Sequence, residues 1–132
     1  MKAICTYCAG PKRQGGRLLP AVRRYISPRI NDAHKLARKR GAAFFILSGE
    51  YGLLRPDDPI PWYDHLLRSD EVKDLVPKVA VTLVKEGIES VEYHTASPDL
   101  VPAIVAYFDV LRQACVLSGI SLEIVLLVGN PD

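Results

Sequence analysis

The stretch of sequence that decides the fold is residues 43–49, AFFILSG. Its first five residues are all apolar, which matches the length of one strand and leaves no polar face. A continuous apolar run of this kind is typical of a central parallel strand that is covered on both faces. Ser48 and Gly49 then interrupt the pattern. We therefore predict a strand over residues 43–47 in the middle of a parallel sheet.

The residues before this strand predict the helix that a parallel sheet requires. Ser27 and Pro28 are typical of an N-cap followed by proline at the first helical position, and Gly41 is typical of a residue that closes a helix. Between them, apolar residues recur at spacings of three and four. The pattern predicts a helix over residues 28–40.

The rest of the chain repeats this alternation of strands and helices. Further strands are predicted over residues 2–9, 90–95 and 124–128. Further helices are predicted over residues 18–25, over 70–87 with a kink or a split at Pro77, and from Ser97-Pro98 to about Ser118. Residues 48–64 are predicted to form a long loop. We predict an α/β fold, a three-layer Rossmann-like sandwich of about four mostly parallel strands flanked by helices, in a single domain over residues 1–132.

The composition is that of an ordinary soluble domain, since 48% of the 132 residues are apolar and 24% are charged. The apolar stretches are far shorter than the roughly 20 residues of a membrane-spanning helix, so no membrane partner is expected. The N-terminal apolar run is too short for a secretory signal, which predicts a cytoplasmic protein. In that compartment the three cysteines are expected to be free thiols.

Charge is distributed unevenly along the chain. Residues 1–40 hold eleven of the 17 basic residues and one acid, which gives this segment a net charge of +10. The remaining residues sum to −8. The asymmetry favours either two loops of opposite charge that the fold brings together or a basic face that binds nucleic acid.

The carboxyl ends of the strands locate a candidate site, because ligands of open parallel sheets bind beyond those ends. The loops that this rule brings together are residues 8–17, 48–64, 96–99 and 129 onward. The candidate catalytic residues are Asp64, Glu50 and Tyr51. The candidate ligand-binding residues are Cys8, Lys12, Arg13, Ser48, Gly52, Tyr63 and Ser97.

Each group of candidates has a chemical interpretation and a structural alternative. The acids of the 48–64 loop could act as general bases and its aromatic rings could stack on a planar ligand, or they could form a solvated turn and pack the loop down. The cations and glycines of residues 12–17 suit an anion, although the Gly-Lys-Ser/Thr ending of a P-loop is absent, or they form a flexible surface loop. Ser97 is explained by helix capping, and the same helix N-terminus could hold an anionic group.

The cysteines and histidines do not predict a metal centre. Cys5 and Cys8 have the spacing of zinc ligands, but no second pair exists. Because the three histidines are scattered, no metal and no cofactor are expected. Cys8, at the end of the first strand, is a candidate nucleophile or ligand contact, and His65 and His94 are candidate proton-transfer groups.

The segment 47–64, LSGEYGLLRPDDPIPWYD, resembles the pattern Leu-Ser-Ala-x-Tyr-Gly-Leu-Leu-x-Pro followed by Ile and Tyr-Asp. This pattern marks a family of small uncharacterised bacterial, archaeal and phage proteins, and it is more distantly similar to a segment of the YaaA peroxide-stress proteins. Cys8, Lys12 and the stretch 25–28 extend the resemblance. The chain has Gly49 where the family usually has alanine, and Asp64 where the YaaA branch has arginine. The resemblance implies the fold and the location of the site.

Three functions are consistent with the sequence. The first is binding of, or action on, a nucleotide- or nucleobase-like small molecule, with hydrolysis or transfer at an N-glycosidic bond as one version. The second is nucleic-acid binding by the basic N-terminal segment, which the distant similarity to YaaA also suggests. The third is a homo-oligomeric scaffold in which the basic segment of one copy meets the acidic part of another.

Overall fold

The computed structural model describes residues 1–128. The strands are β1 Lys2–Tyr7, β2 Leu19–Pro20, β3 Ala43–Ser48, β4 Gly52–Leu54, β5 Pro59–Ile60, β6 Ser90–Thr95 and β7 Ser121–Leu126. The helices are α1 Ala21–Arg24, α2 Pro28–Arg40, α3 Val72–Lys85 and α4 Val105–Ser118. Short 3-10 turns, Ser69–Glu71 and Pro102–Ile104, precede α3 and α4.

The main sheet has five strands in the order β4-β3-β1-β6-β7. Strands β3, β1, β6 and β7 pair parallel with one another in that order. The edge strand β4 pairs antiparallel with β3. Ile4 and Ile46 pack with α2 on one face, whereas Cys5 and Phe45 pack with α3 and α4 on the other. The predicted α/β three-layer sandwich with mostly parallel strands is therefore confirmed.

Helix α2 has the ends that its sequence predicts. The Ser27 hydroxyl accepts the backbone N–H of Ile30 at 3.1 Å, and Pro28 opens the first turn. Gly41 adopts a left-handed conformation with φ of 66° and donates to the carbonyls of Ala37 and Arg38. Side-chain capping and a C-terminal glycine fix both boundaries, so the predicted helix over residues 28–40 is confirmed.

The prediction of a long loop over the whole of residues 48–64 is wrong in part, because this segment contains two short strands. Gly52 takes a left-handed φ of 77°, which reverses the chain after β3 and lets β4 pair back along it. Leu53 and Leu54 are buried as a result. Further on, β5 pairs antiparallel with β2 in a small second sheet. The loop therefore contributes the fifth strand of the main sheet.

Two helix predictions also need correction. Of the kink or split predicted at Pro77, the split is wrong, since α3 is continuous from Val72 to Lys85; the carbonyl four residues earlier belongs to exposed Lys73 and can bind water instead. No helix begins at Ser97, whose backbone carbonyl instead accepts the N–H groups of Leu100 and Val101 in a turn. Pro102 keeps the preceding residue out of the helical region, so α4 begins at Val105.

The other boundaries differ by a few residues. Helix α1 is shorter than the predicted 18–25, and β7 begins earlier than the predicted 124. The candidate loop from residue 129 onward lies outside the described residues. Within residues 1–128 no helix combines the length and the apolar character needed to cross a membrane.

Candidate functional site

A cleft of about 170 Å³ opens at the carboxyl end of β1, where ligand sites of parallel sheets are found. Its chemically active lining consists of Cys8, Lys12, Arg29, Asp64, His65 and Tyr107. These residues come from the loop after β1, the first turn of α2, the segment before α3, and α4. Four candidates from the sequence, Cys8, Lys12, Asp64 and His65, therefore line one cavity.

Lys12 and Asp64 bring opposite charges to the cleft. The Lys12 ammonium donates to the Gly10 carbonyl at 3.1 Å and lies 4.7 Å from the centroid of the Tyr63 ring. Neither Lys12 nor Asp64 forms an ion pair within residues 1–128. A cation and a carboxylate at one cavity can bind a ligand that carries both an anionic group and a hydrogen-bond donor.

Behind Lys12 lies a buried chain of hydroxyl groups. The Ser48 oxygen accepts the backbone N–H groups of Glu50 and Tyr51, each at 3.1 Å, which occupies both of its lone pairs. Its own proton is therefore donated to the Tyr63 hydroxyl at 2.9 Å, and the Tyr63 hydroxyl in turn bonds to that of Tyr25. Burial raises the pKa values of Tyr63 and Tyr25, so both phenols stay protonated. The bond from Ser48 thus fixes the Tyr63 side chain, whose ring lies against the Lys12 ammonium.

Replacing Ser48 by alanine should lower the free energy of unfolding by about 2 kcal/mol, because two backbone donors and one hydroxyl lose their partner. The matched control Ser97→Ala should change it by less than about 0.5 kcal/mol. In a Tyr63→Phe background the Ser48→Ala cost should be smaller, since the two hydroxyls share one bond. Urea denaturation of the four variants measures these costs, and equal costs in both backgrounds would contradict the hydroxyl chain.

Glu50 and Tyr51 lie behind the cleft and act on it through neighbours. The Glu50 carboxylate bonds to Nδ1 of His65 at 3.0 Å. The Tyr51 ring packs edge-on against Tyr63 with 5.2 Å between ring centroids. Neither side chain lines the cavity. Glu50 therefore contacts a residue that lines the cavity, His65, whereas Tyr51 packs on Tyr63, which does not line the cavity but lies against Lys12.

Three sequence candidates lie away from the cavity. Arg13 is exposed, and its Nε donates to the Arg23 carbonyl at 3.0 Å. Gly52 serves the chain reversal and lies against the side chain of Lys78. Ser97 forms the turn after β6. The structure does not bring these residues to the cleft.

Arg29 is a cleft residue that the sequence analysis counted only among the cations of the basic segment 1–40. It is buried, and its guanidinium donates to the Thr6 hydroxyl at 2.6 Å and to the carbonyls of Tyr7 and Cys8. Its position four residues before Ala33, on the apolar face of α2, was the available signal. Arg29 thereby fixes the carboxyl end of β1, which forms the cleft floor.

The Cys8 sulfur lies 3.6 Å from the Tyr107 hydroxyl. The Cys8 thiol donates to that hydroxyl, which also accepts the backbone N–H of Leu67 at 3.1 Å. Cys5, in contrast, is fully enclosed, and burial raises the pKa of its thiol. Among residues 1–128 no group of three or more metal-ligating side chains is assembled.

The basic segment 1–40 is less exposed than its charge implies. Arg24 and Arg29 are buried. Lys2 and Arg40 pair with Glu92, at 3.4 and 3.0 Å, on the α2 side of β6. The exposed cations Lys35, Arg38 and Lys39 remain along α2.

Fold and cleft together define a three-layer α/β protein with a charged cavity at the carboxyl edge of its sheet. The chain belongs to a family of unknown function, DUF6884, which it matches over residues 7–126. The match includes every residue described at the cleft. No curated protein and no solved structure matches the chain.

Proposed function

We propose that the cleft binds a nucleotide-like small molecule and acts on it. The observation that carries this proposal is the joint presence of Lys12 and Asp64, unpaired within residues 1–128, in one cavity at the carboxyl edge of the sheet. Lys12 would bind the phosphate, and Asp64 would accept hydrogen bonds from a sugar hydroxyl or a base amine. The tyrosine rings behind Lys12 hold its ammonium in place.

The size of the cleft restricts which part of the ligand it holds. Sites that enclose drug-sized ligands have about 300–1,000 Å³, and this cavity has about 170 Å³. It suits one moiety, such as a phosphorylated sugar, while the remainder of a nucleotide extends over the rim. A sugar phosphate in the cleft would present its anomeric carbon near the Asp64 carboxylate.

The reaction that we propose is hydrolysis at an N-glycosidic bond. The bond between the anomeric carbon and the base nitrogen breaks, and the base leaves with the electron pair and takes up a proton from bulk water, to which Asp64 later returns the proton that it accepts. A water oxygen bonds to the anomeric carbon and gives its proton to Asp64. The carboxylate also stabilises the positive charge that develops on the sugar ring.

Asp64→Asn and Lys12→Met should each weaken binding of adenosine 5′-monophosphate at least tenfold, because each removes one charge of the cleft. The measurement is the thermal shift, since a ligand at 100 times its dissociation constant stabilises the folded state by about 2.7 kcal/mol. Asp99→Asn and Arg13→Met, which change exposed residues outside the cleft, should bind as the unmodified chain does. No shift with any nucleotide or sugar phosphate would contradict the proposal.

A second candidate, nucleic-acid binding, is favoured by the exposed cations Lys35, Arg38 and Lys39, which form no ion pair within residues 1–128. The resemblance to YaaA-type proteins that we infer from the sequence of residues 47–64 would favour it as well. Retention on DNA that falls steeply with salt, together with absent nucleotide shifts, would favour this candidate over the first.

A further inference from the structure

His65 is held between two carboxylates from different parts of the chain. Its Nδ1 lies 3.0 Å from Glu50, in the turn between β3 and β4, and its Nε2 lies 2.8 Å from Glu71, in the turn before α3. His65 directly follows Asp64 and lines the same cleft. The bridge therefore fixes the backbone next to the proposed acid–base residue at two points.

The bridge requires a protonated histidine. A neutral imidazole has one N–H, so it can donate to only one of the two carboxylates, and its bare nitrogen would face the other. An imidazolium donates to both. Loss of one proton therefore releases one end of the bridge.

We propose that His65 is the positioning residue for Asp64: as an imidazolium that bridges Glu50 and Glu71, it holds residues 64–66 against the cleft, and it releases them when it becomes neutral. The claim that His65 positions a catalytic group rests on the proposed role of Asp64. The claim that the protonation of His65 controls the conformation of residues 64–66 can be tested without a ligand.

The charged surroundings favour the protonated form. The hydrogen bonds that His65 donates to Glu50 and to Glu71 raise the pKa of His65 above its ordinary value, and the bond that Glu71 accepts from His65 lowers the pKa of Glu71. Arg68, which directly precedes the Ser69–Glu71 turn, lies 3.9 Å from Glu71 and also pairs with Asp70. The other charged or titratable groups at the cleft are Lys12, Arg29, Asp64, Cys8, Tyr7 and Tyr107.

The direction of the pH dependence follows from the raised pKa. A group that binds its proton more tightly in the folded state stabilises that state at pH values below the unfolded pKa, and this contribution is lost as pH rises through the folded pKa. The bridge is thus complete at pH values below the raised pKa of His65. It opens on the alkaline side of the ordinary histidine range.

The test is carbon-detected NMR of residues 64–66 in the full chain, titrated from pH 5.5 to 9 while the His65 ring shifts report its protonation. In the unmodified chain the secondary ¹³C shifts of residues 64–66 should move toward random-coil values with the same midpoint as the ring. In His65→Gln, residues 64–66 should have at every pH the ¹³C shifts that the unmodified chain has at alkaline pH. His34→Gln, at a histidine outside the cleft, should titrate as the unmodified chain does.

Glu71→Gln separates positioning from a merely structural role. A glutamine amide can donate to a bare Nε2 and accept from a protonated one, so both ends of the bridge persist when His65 is neutral. Its oxygen can still accept the Arg68 backbone N–H, which Glu71 accepts at 2.9 Å. We expect the ring to titrate in this variant while residues 64–66 keep their shifts.

Nucleotide binding supplies the second measurement. Affinity for adenosine 5′-monophosphate should fall at least tenfold above the midpoint in the unmodified chain and stay constant in Glu71→Gln. Unchanged shifts at residues 64–66 through the ring titration, or the same loss in Glu71→Gln, would overturn the inference. Shifts that behave as expected without nucleotide binding at any pH would instead reject the proposed function and leave the bridge established.

Discussion

Replacing Arg24 by methionine should lower the free energy of unfolding by about 3 kcal/mol, which is among the largest single effects that we expect in this chain. Arg24 is fully buried at the end of α1, and its guanidinium donates to the carbonyls of Arg13, Arg17 and Ile60. These bonds tie the loop after β1, which carries Lys12, to β5. Methionine fills similar space but leaves three carbonyls without their donor.

Two effects oppose each other in this substitution. Burial of a charge is costly, and an apolar replacement of buried ionic groups is often neutral or stabilising when every partner is removed with it. Here the partners are backbone carbonyls and remain, each at a cost of about 1–3 kcal/mol when buried and unpaired. Arg13 and Arg17 are exposed, so water can recover part of that cost, which is why we expect about 3 kcal/mol rather than the full sum.

The matched control is Arg23→Met, one residue earlier and exposed, which should change the free energy of unfolding by less than about 0.5 kcal/mol. Arg24→Lys should lie between the two, since an ammonium keeps the charge but cannot span three separate carbonyls. Urea denaturation followed by circular dichroism gives all three values. Indistinguishable curves for Arg23→Met and Arg24→Met would show that the buried guanidinium does not hold the loop.

Local sequence patterns predicted the parallel part of the fold because those elements are defined by their own residues. The apolar run that forms β3 and the capped helix α2 each carry start and stop signals within the element. Strand β4 could not be found this way, since three residues are too short for a periodicity and its pairing depends on the reversal at Gly52. The false helix start at Ser97 repeated the pattern of Ser27, and Pro102 decided against it.

The location of the candidate cleft could be predicted from one rule of sheet topology. Lys12 and Asp64 follow from the rule that strand ends converge at one edge of the sheet. The role of His65 was not predictable, because its two partners are 15 and 6 residues away along the chain and meet only in the fold. Arg29 was missed for another reason: arginine on a helix is usually solvated, and its burial depends on free acceptors at the end of β1.

Replacing Arg29 by lysine should lower the free energy of unfolding by about 3 kcal/mol, although the positive charge is kept. The guanidinium binds the Thr6 hydroxyl at 2.6 Å and the Cys8 carbonyl at 3.1 Å with different nitrogens, and it lies 3.6 Å from the centroid of the Tyr7 ring. Thr6 donates in turn to the His94 carbonyl at 2.7 Å, which links β1 to β6. A lysine ammonium is a compact charge at one position, and it cannot donate to both the Thr6 hydroxyl and the Cys8 carbonyl in the places that the two guanidinium nitrogens reach.

The same substitution should also weaken binding of adenosine 5′-monophosphate at least tenfold, because the end of β1 forms the floor of the cleft. Arg38→Lys, at an exposed position of the same helix, is the control and should leave both unfolding and binding unchanged. Unfolding at the unmodified denaturant midpoint in Arg29→Lys would contradict the argument from fork geometry. Normal binding despite reduced stability would mean that the carboxyl end of β1 can shift without loss of ligand affinity. The binding energy would then have to come from Lys12 and Asp64.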